Sequence, residues 1–432
     1  MTQSSSRGIL APFQARNFRL FYTGQLVSMI GTWLQFVAEG WLVFHLTHSP
    51  AWLGIVAGAG AAPGLLLTLT GGQFADRYPR RRILLITQVL SMVLAFLLAL
   101  LASGRWVVPQ PWHIAAVAAA LGAVNAFSGP AFQSFMPTLV PREQMGSAIA
   151  LNSLLWNSAR VFGPLAAGGL IAYFGAPGCF ALNGLSYIAV IVALLMMHVD
   201  EAHMDETARP SPLEGLRYVA RTPIALRILI MFAVTASFGW LYQTLLPALA
   251  AEQFHRGALA VGQLTAAAGI GAVLAAIVTA IFARAEVRRY LIYGGALMYS
   301  IALVGFSMVT SYPAGLATLV AAGLGLIITG VNINAQLQEE VPDALRGRVM
   351  AIFSLIWMGF QPLGGLLGGT LAEHLGSPKA VGMGAVVCFF ASLGLFAWSE
   401  AERRAAVNGT IAEIEHAGAG SAELLKQSSG GI

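Results

Sequence analysis

The chain has 432 residues, 57% hydrophobic and only 10% charged, with a formal net charge of +5 and a mean hydropathy of +0.72. A soluble domain carries about 25% charged residues because its surface faces water, so this composition excludes a soluble protein. A bilayer crossing needs roughly 20 apolar residues, which leaves room for about twelve crossings joined by short loops.

The first 17 residues are polar and lack the apolar stretch of a cleavable signal, so the first hydrophobic helix is expected to direct insertion itself. Apolar runs follow near 20–44, 52–74, 83–103, 112–135, 147–174 and 178–198, and resume near 227–250, 259–282, 290–310, 314–338, 349–375 and 380–399. Four segments result: an N-terminal six-helix bundle over 1–198, a cytoplasmic linker over 199–226, a C-terminal six-helix bundle over 227–399, and a tail over 400–432. The linker is charged and carries Pro210, Pro212 and Pro223, whereas the polar, Gly/Ser-rich tail is expected to be disordered. Cys179 and Cys388 lie in separate apolar runs and read as small packing residues.

Basic residues set the orientation. Alternate loops, counted from an inside N-terminus, carry twenty of the 24 lysines and arginines, from Arg7 to Lys426. The opposite side holds only Arg105, Arg256 and Lys379. This asymmetry predicts that both termini are cytoplasmic. The halves also repeat each other. At an offset of 201 residues, Pro141, Gly146, Ser153, Trp156, Gly163, Gly168, Gly175 and Pro177 meet Pro342, Gly347, Ser354, Trp357, Gly364, Gly369, Gly376 and Pro378 without a gap. A duplicated six-helix unit implies two bundles with a site between them.

After the second run the chain reads Gly72-Gln73-Phe74-Ala75-Asp76-Arg77-Tyr78-Pro79-Arg80-Arg81-Arg82, and the fifth run contains Gly163-Pro164-Leu165-Ala166-Ala167-Gly168-Gly169. The first stretch resembles the loop signature of the major facilitator superfamily, with Pro79 in place of that signature's second glycine. The second resembles the motif associated with antiporters in the same superfamily. With Pro141-Arg142-Glu143 and Leu345-Arg346-Gly347-Arg348, the pattern over about residues 15–400 is similar to the drug:proton antiporter branch that includes the enterobactin exporter and macrolide efflux pumps. The resemblance implies an all-α polytopic membrane protein with twelve transmembrane helices in two pseudo-symmetric six-helix bundles. It also implies a cytoplasmic gate built from Gly72, Asp76, Arg77, Arg80, Arg81, Glu143, Asp343, Arg346 and Arg348. In that gate Asp76 accepts amide bonds at a neighbouring helix N-terminus, and the arginines pair with Glu143, Glu340 or Asp343. A purely topogenic basic loop is the plainer alternative. For Gly163, Pro164, Gly168 and Gly169 the plainer alternative is tight helix packing without directional meaning.

Of the 19 acidic residues, only Glu39 lies well inside an apolar run. A carboxylate there is costly and marks a functional site by default. Gln25, Ser28, Thr32, Gln35 and Glu39 recur at spacings of 3, 4, 3 and 4 and so share one helical face, as expected of a helix lining a wet cavity. A salt bridge at the outer mouth is the alternative for Glu39. Arg160 falls near the middle of the fifth run, where an unpaired guanidinium costs at least about 2.5 kcal/mol. Its expected partner is Glu39, or an anionic substrate, with a static structural role also open. Glu39 and Arg160 are therefore the candidates for proton coupling. Further candidate cavity residues are Asn125, Asn157, Tyr242, Asn332, Gln336, Trp357 and Gln361, beside Phe238, Trp240 and Gln243; amide and aromatic groups suit bulky, partly polar ligands.

No Walker loop, dinucleotide fingerprint or Gly-x-Ser-x-Gly elbow occurs, so no catalytic residue, metal site or cofactor is assigned, and the energy source is a proton gradient. The expectation is a monomeric secondary transporter of the bacterial inner membrane. It exports small organic molecules, siderophore- or drug-like, in exchange for protons, with the lipid bilayer and no nucleic acid as surroundings. Divalent-metal efflux, prompted by His45-x-x-His48, and substrate-uptake symport stay open on the same fold.

Overall fold

The computed structural model describes residues 8–197, 212–282 and 285–429. Among them there is no strand. Thirteen α-helices follow one another: α1 (Arg16–Thr47), α2 (Pro50–Arg77), α3 (Arg80–Ala102), α4 (Pro111–Phe135), α5 (Met145–Met196), α6 (Pro212–Arg221), α7 (Pro223–Val234), α8 (Leu241–Glu252), α9 (Ala258–Phe282), α10 (Ala285–Met308), α11 (Tyr312–Glu340), α12 (Asp343–Leu375) and α13 (Ser377–Ser429). Prolines at the first turns of α2, α4, α7 and α11 suit positions that have no intrahelical N–H bond to lose.

Eleven helical stretches are long and apolar enough to cross a membrane. The 52 residues of α5 would extend about 78 Å at the ordinary helical rise, more than twice the ~30 Å apolar core of a bilayer. Gly175 breaks α5 with φ of 67°, so it makes two crossings and the total is twelve. Its repeat partner Gly376, with φ of 88°, separates α12 from α13 in the same way. At both positions only glycine adopts the backbone at no steric cost, and Pro177 and Pro378 start the next crossings. The crossing formed by α7 and α8 is interrupted at Thr235–Gly239 by a π-helical turn. Residues 199–211 of the expected linker lie outside the described residues; the rest forms α6 and the start of α7. The tail, expected without regular structure, continues α13 as helix to Ser429, in keeping with its alanine and glutamate content.

Helix α1 packs on α5, α2 on α4, and α3 on both α4 and α5, while α9, α10, α11 and α13 form the second cluster. The two clusters meet where α2 lies along α12 and α5 along α9. One apolar core, including Leu34, Val43, Leu98, Phe180, Leu245 and Phe306, runs through both halves at the end where α1 finishes. At the end where α1 begins there are two separate cores. One holds Phe18, Phe21, Phe135 and Leu194; the other holds Ile228, Phe232, Ile292 and Leu337. The halves are therefore fused at the far end and parted at the arginine-rich end.

Glycine places the seam. A Cβ on Gly54 would sit 2.6 Å from the Gly365 carbonyl oxygen, and one on Gly369 would sit 2.7 Å from that of Pro50. One on Gly168 would lie 2.9 Å from the Leu259 carbonyl oxygen, and one on Gly262 would overlap the Pro164 carbonyl. All these approaches lie between the membrane middle and the far end. At the basic end, a Cβ on Gly72, Gly146 or Gly347 would meet nothing within 4 Å.

Candidate functional site

Glu39 sits half-buried on the last third of α1. It fronts a cavity of about 70 Å³ between α1, α2, α8 and α9, lined by Phe36, Val56, Gln243, Pro247 and Thr265 among others. The pocket thus lies on the seam between halves, with an apolar wall around one carboxyl group. A hydrogen-bonded chain lies one turn before that carboxyl group on α1. Asn183 Nδ2 donates to Gln35 Oε1 at 2.7 Å, and Ser186 Oγ lies 3.1 Å from Asn183 Oδ1. Gly31 makes this possible, because a Cβ there would overlap Ser186.

The polar face of α1 is consequently divided. Gln35, expected to line a cavity, is turned into the contact with the second crossing of α5, and Gln25 and Ser28 are buried too. Thr32 is exposed, with its hydroxyl donating to the Ser28 carbonyl oxygen. Inside a bilayer an amide must find its partners within the protein; Asn183 supplies one for Gln35, and Ser186 one for Asn183.

Arg160 does not pair with Glu39, contrary to expectation, and no ion pair joins it to any carboxylate among the described residues. Its guanidinium lies over the Trp240 ring, 5.5 Å from the centroid. The physical reason is axial offset. Gln243 and Thr265 border the Glu39 pocket, whereas Trp240 borders Arg160, and a Cβ on Gly269 would meet the Arg160 carbonyl oxygen at 3.2 Å. The two charges are thus displaced by about one helical turn along α8 and α9. From Trp240 a row of rings continues into the C-terminal half. Trp357 meets Trp240 edge-on at 5.4 Å and stacks on Phe232 at 5.5 Å, and Phe232 stacks on Phe353 at 4.2 Å. Phe232 and Phe353 carry no signal in an apolar sequence run; only the fold reveals the row.

The remaining cavity candidates divide. Asn125 is exposed, and Asn157, Gln336, Trp357 and Gln361 are half-buried; Asn157 Nδ2 donates to the Ser153 carbonyl oxygen of its own helix. Tyr242 and Asn332 are buried within the C-terminal half and do not line the pocket at Glu39. The Asn332 amide donates to the Ile328 carbonyl oxygen, which satisfies it without a ligand.

Among the described residues, the ion pairs of Arg346 and Arg348 stay within the C-terminal half. Arg80 donates to the Ser134 carbonyl oxygen at 3.1 Å, and Arg81 donates to those of Leu194 and Leu195 at 2.7 and 3.1 Å. These are helix C-termini of the same half, where a cation is favoured. Arg346 pairs with Asp343 on its own helix at 2.6 Å, and Arg348 pairs with Glu214 of α6. Asp76, Arg77 and Glu143 are exposed. The expected cross-bundle pairs of Arg346 and Arg348 are absent among the described residues because this end is parted. At the far end the logic expected of Asp76 is carried out by Glu373 of α12. Its Oε2 accepts from Ser49 Oγ at 2.7 Å and from the Ala51 amide at 3.2 Å, holding the N-terminus of α2 across the seam. In the antiporter-like stretch, Gly163 faces Ile30 and Trp33 of α1, while Pro164 and Gly168 face α9.

Twelve crossings, an internal repeat and a seam that places an intramembrane carboxyl group between the halves define a membrane transporter rather than an enzyme. The match to known proteins agrees. The chain belongs to the transmembrane secretion effector family of the major facilitator superfamily, whose model it matches over residues 7–431. It is 26% identical to the Staphyloferrin A transporter of Staphylococcus aureus, covering 83% of this chain and 90% of that one. It is likewise 26% identical to the multidrug efflux pump Tap of Mycolicibacterium fortuitum, covering 81% and 88%. A crystal structure of a bacterial homologue of the human lysosomal transporter Spinster, inward-facing and unoccupied, shares the fold with a TM-score of 0.72 at 14% identity, over 90% of this chain and 97% of that one.

Proposed function

We propose that this transporter exports small organic molecules, siderophore- or drug-like, across the bacterial inner membrane by exchange with protons. The names of the similar proteins support the cargo class: one is a siderophore transporter and another a multidrug efflux pump. The basic end is cytoplasmic, with both termini there, because twenty basic residues against three is the bias that fixes orientation. The arrangement seen is then the one open to the cytoplasm, as in the solved relative.

The observation that carries this reading is the position of Glu39. It is an acid placed in the seam that must open for the far side to be reached. Charging or neutralising it changes the cost of keeping that seam closed, so a proton acts as a ligand that shifts a two-state equilibrium. Gly72, Asp76, Arg77, Arg80 and Arg81, with Asp343, Arg346 and Arg348, close the basic end in the alternate state, and the Gly163-Pro164…Gly168-Gly169 stretch closes the far end in this one. Arg160 is assigned no part in the proton step.

Inverted membrane vesicles, acidified by respiration and loaded with a quenched pH-sensitive dye, test this reading. Adding a carried compound from a panel of siderophores and drugs is expected to release the quench in wild-type vesicles and not in Glu39→Gln vesicles. Undiminished release in the variant would refute the role of Glu39, and no release by any compound would refute proton exchange.

A further inference from the structure

Three buried polar atoms lack partners, and they lie around one short stretch of chain, Gly239–Tyr242. Arg160 Nη2, Tyr242 Oη and Tyr299 Oη are each buried without a hydrogen bond. They come from α5, α8 and α10. The Tyr299 hydroxyl stands beside Gly239, the residue before the Trp240 ring that the guanidinium overlies, and Tyr242 lies two residues beyond that ring. Both tyrosines are 0% exposed. Beneath the cation lies the face of Trp240, which attracts positive charge but accepts no conventional N–H bond.

The local backbone is shaped around these groups. The π-helical turn Thr235–Gly239 immediately precedes Trp240, and such turns cluster at functional sites. A Cβ on Gly239 would lie 2.8 Å from Tyr299 Oη and overlap its ring, so a bare residue is required for the phenol to reach this level. No carboxylate among the described residues pairs with Arg160, and a phenol is not a counter-charge. A half-buried guanidinium with one orphaned nitrogen and two buried orphaned hydroxyls are both costly. An acceptor carrying one negative charge relieves all three costs together.

We propose that Arg160, Tyr242 and Tyr299 form a binding site for a compact monoanion, either chloride or a carboxylate group of a carried molecule. The guanidinium supplies the charge and one donor, and the phenols supply two more. Arg160 belongs to the N-terminal half and the tyrosines to the C-terminal half, so an occupied site ties the halves together in the far-end-closed arrangement. This site is independent of the proton step at Glu39, and its test uses neither a proton gradient nor transport.

Thermal unfolding of the purified full-length protein is measured in detergent at constant ionic strength with sodium chloride, sodium acetate or the sodium salt of MES. The bulky sulfonate of MES serves as the anion too large for the site. Chloride, acetate or both are expected to raise the midpoint over MES. Stabilisation by chloride alone identifies an inorganic ligand, and stabilisation by acetate identifies a cargo carboxylate. Tyr299→Phe preserves shape and is expected to raise the half-saturating anion concentration about tenfold, while Arg160→Gln is expected to abolish the effect. Identical wild-type midpoints in all three salts, or a response unchanged in Tyr299→Phe and Tyr242→Phe, would overturn the proposal.

Discussion

Glu39 stands one turn beyond an amide that is itself held. Gln35 accepts from Asn183, which in turn contacts Ser186. An interhelical hydrogen bond in a membrane contributes roughly 0.6 to 1.7 kcal/mol, and removing one partner leaves the other buried and unsatisfied. Asn183→Leu is therefore expected to destabilise the protein by about 1–2 kcal/mol, seen as a lower unfolding midpoint in detergent. An unchanged midpoint would show that the chain is not formed. Because Gln35 is then free to turn, the same variant should also alter the pH dependence of export. At this scale the two intramembrane charges were legible from sequence, since a carboxylate or guanidinium stands out against an apolar run. Their partners were not. Spacing placed Gln25, Gln35 and Glu39 on one face but could not say that the face lies against α5. Tyr299, in an apolar run, gives no sign that its hydroxyl stands beside Arg160.

The glycine and proline pattern was legible at the level of elements, and the repeat offset of 201 residues holds in three dimensions. Gly163 packs on α1 and its repeat partner Gly364 on the π-turn residue Ser237, whereas Gly168 faces α9 and its partner Gly369 faces α2. Of these glycines, Gly168 and Gly369 meet the opposite half at the far seam, while Gly163 and Gly364 pack within their own halves. The sequence could not identify Gly262, whose α9 contact with the Pro164 carbonyl is as close as any in that seam, because nothing in the α9 sequence sets it apart from Gly269 and Gly271. Overpacking costs about 1–3 kcal/mol, so Gly262→Val is expected to shift the equilibrium away from the far-end-closed state by about tenfold or more. Labelling of a cysteine at Trp33, beside Gly163, by a membrane-impermeant thiol reagent applied to the far side should rise accordingly; unchanged labelling would contradict the role of this contact.

For the whole molecule, the twelve crossings followed directly from composition, but the conformational state did not. A sequence is the same in every state, and only the division into one fused core at the far end and two separate cores at the basic end shows which state is present. The same division explains why the expected cross-bundle pairs of Asp343, Arg346 and Arg348 are replaced by local ones, and why Glu373, unremarked in the sequence, holds α2 at the opposite end. The central claim is that protonation of Glu39 biases the exchange between this arrangement and its converse. Spin labels at Tyr78 and Asp343 report the basic end, and labels at Arg105 and Thr310 report the far end; all four positions are exposed. A neutral amide costs less to bury than a carboxylate, so acidic buffer and Glu39→Gln should both raise the population with short far-end and long basic-end distances. Distances at both ends that stay the same in acid, in alkali and in the variant would contradict the account.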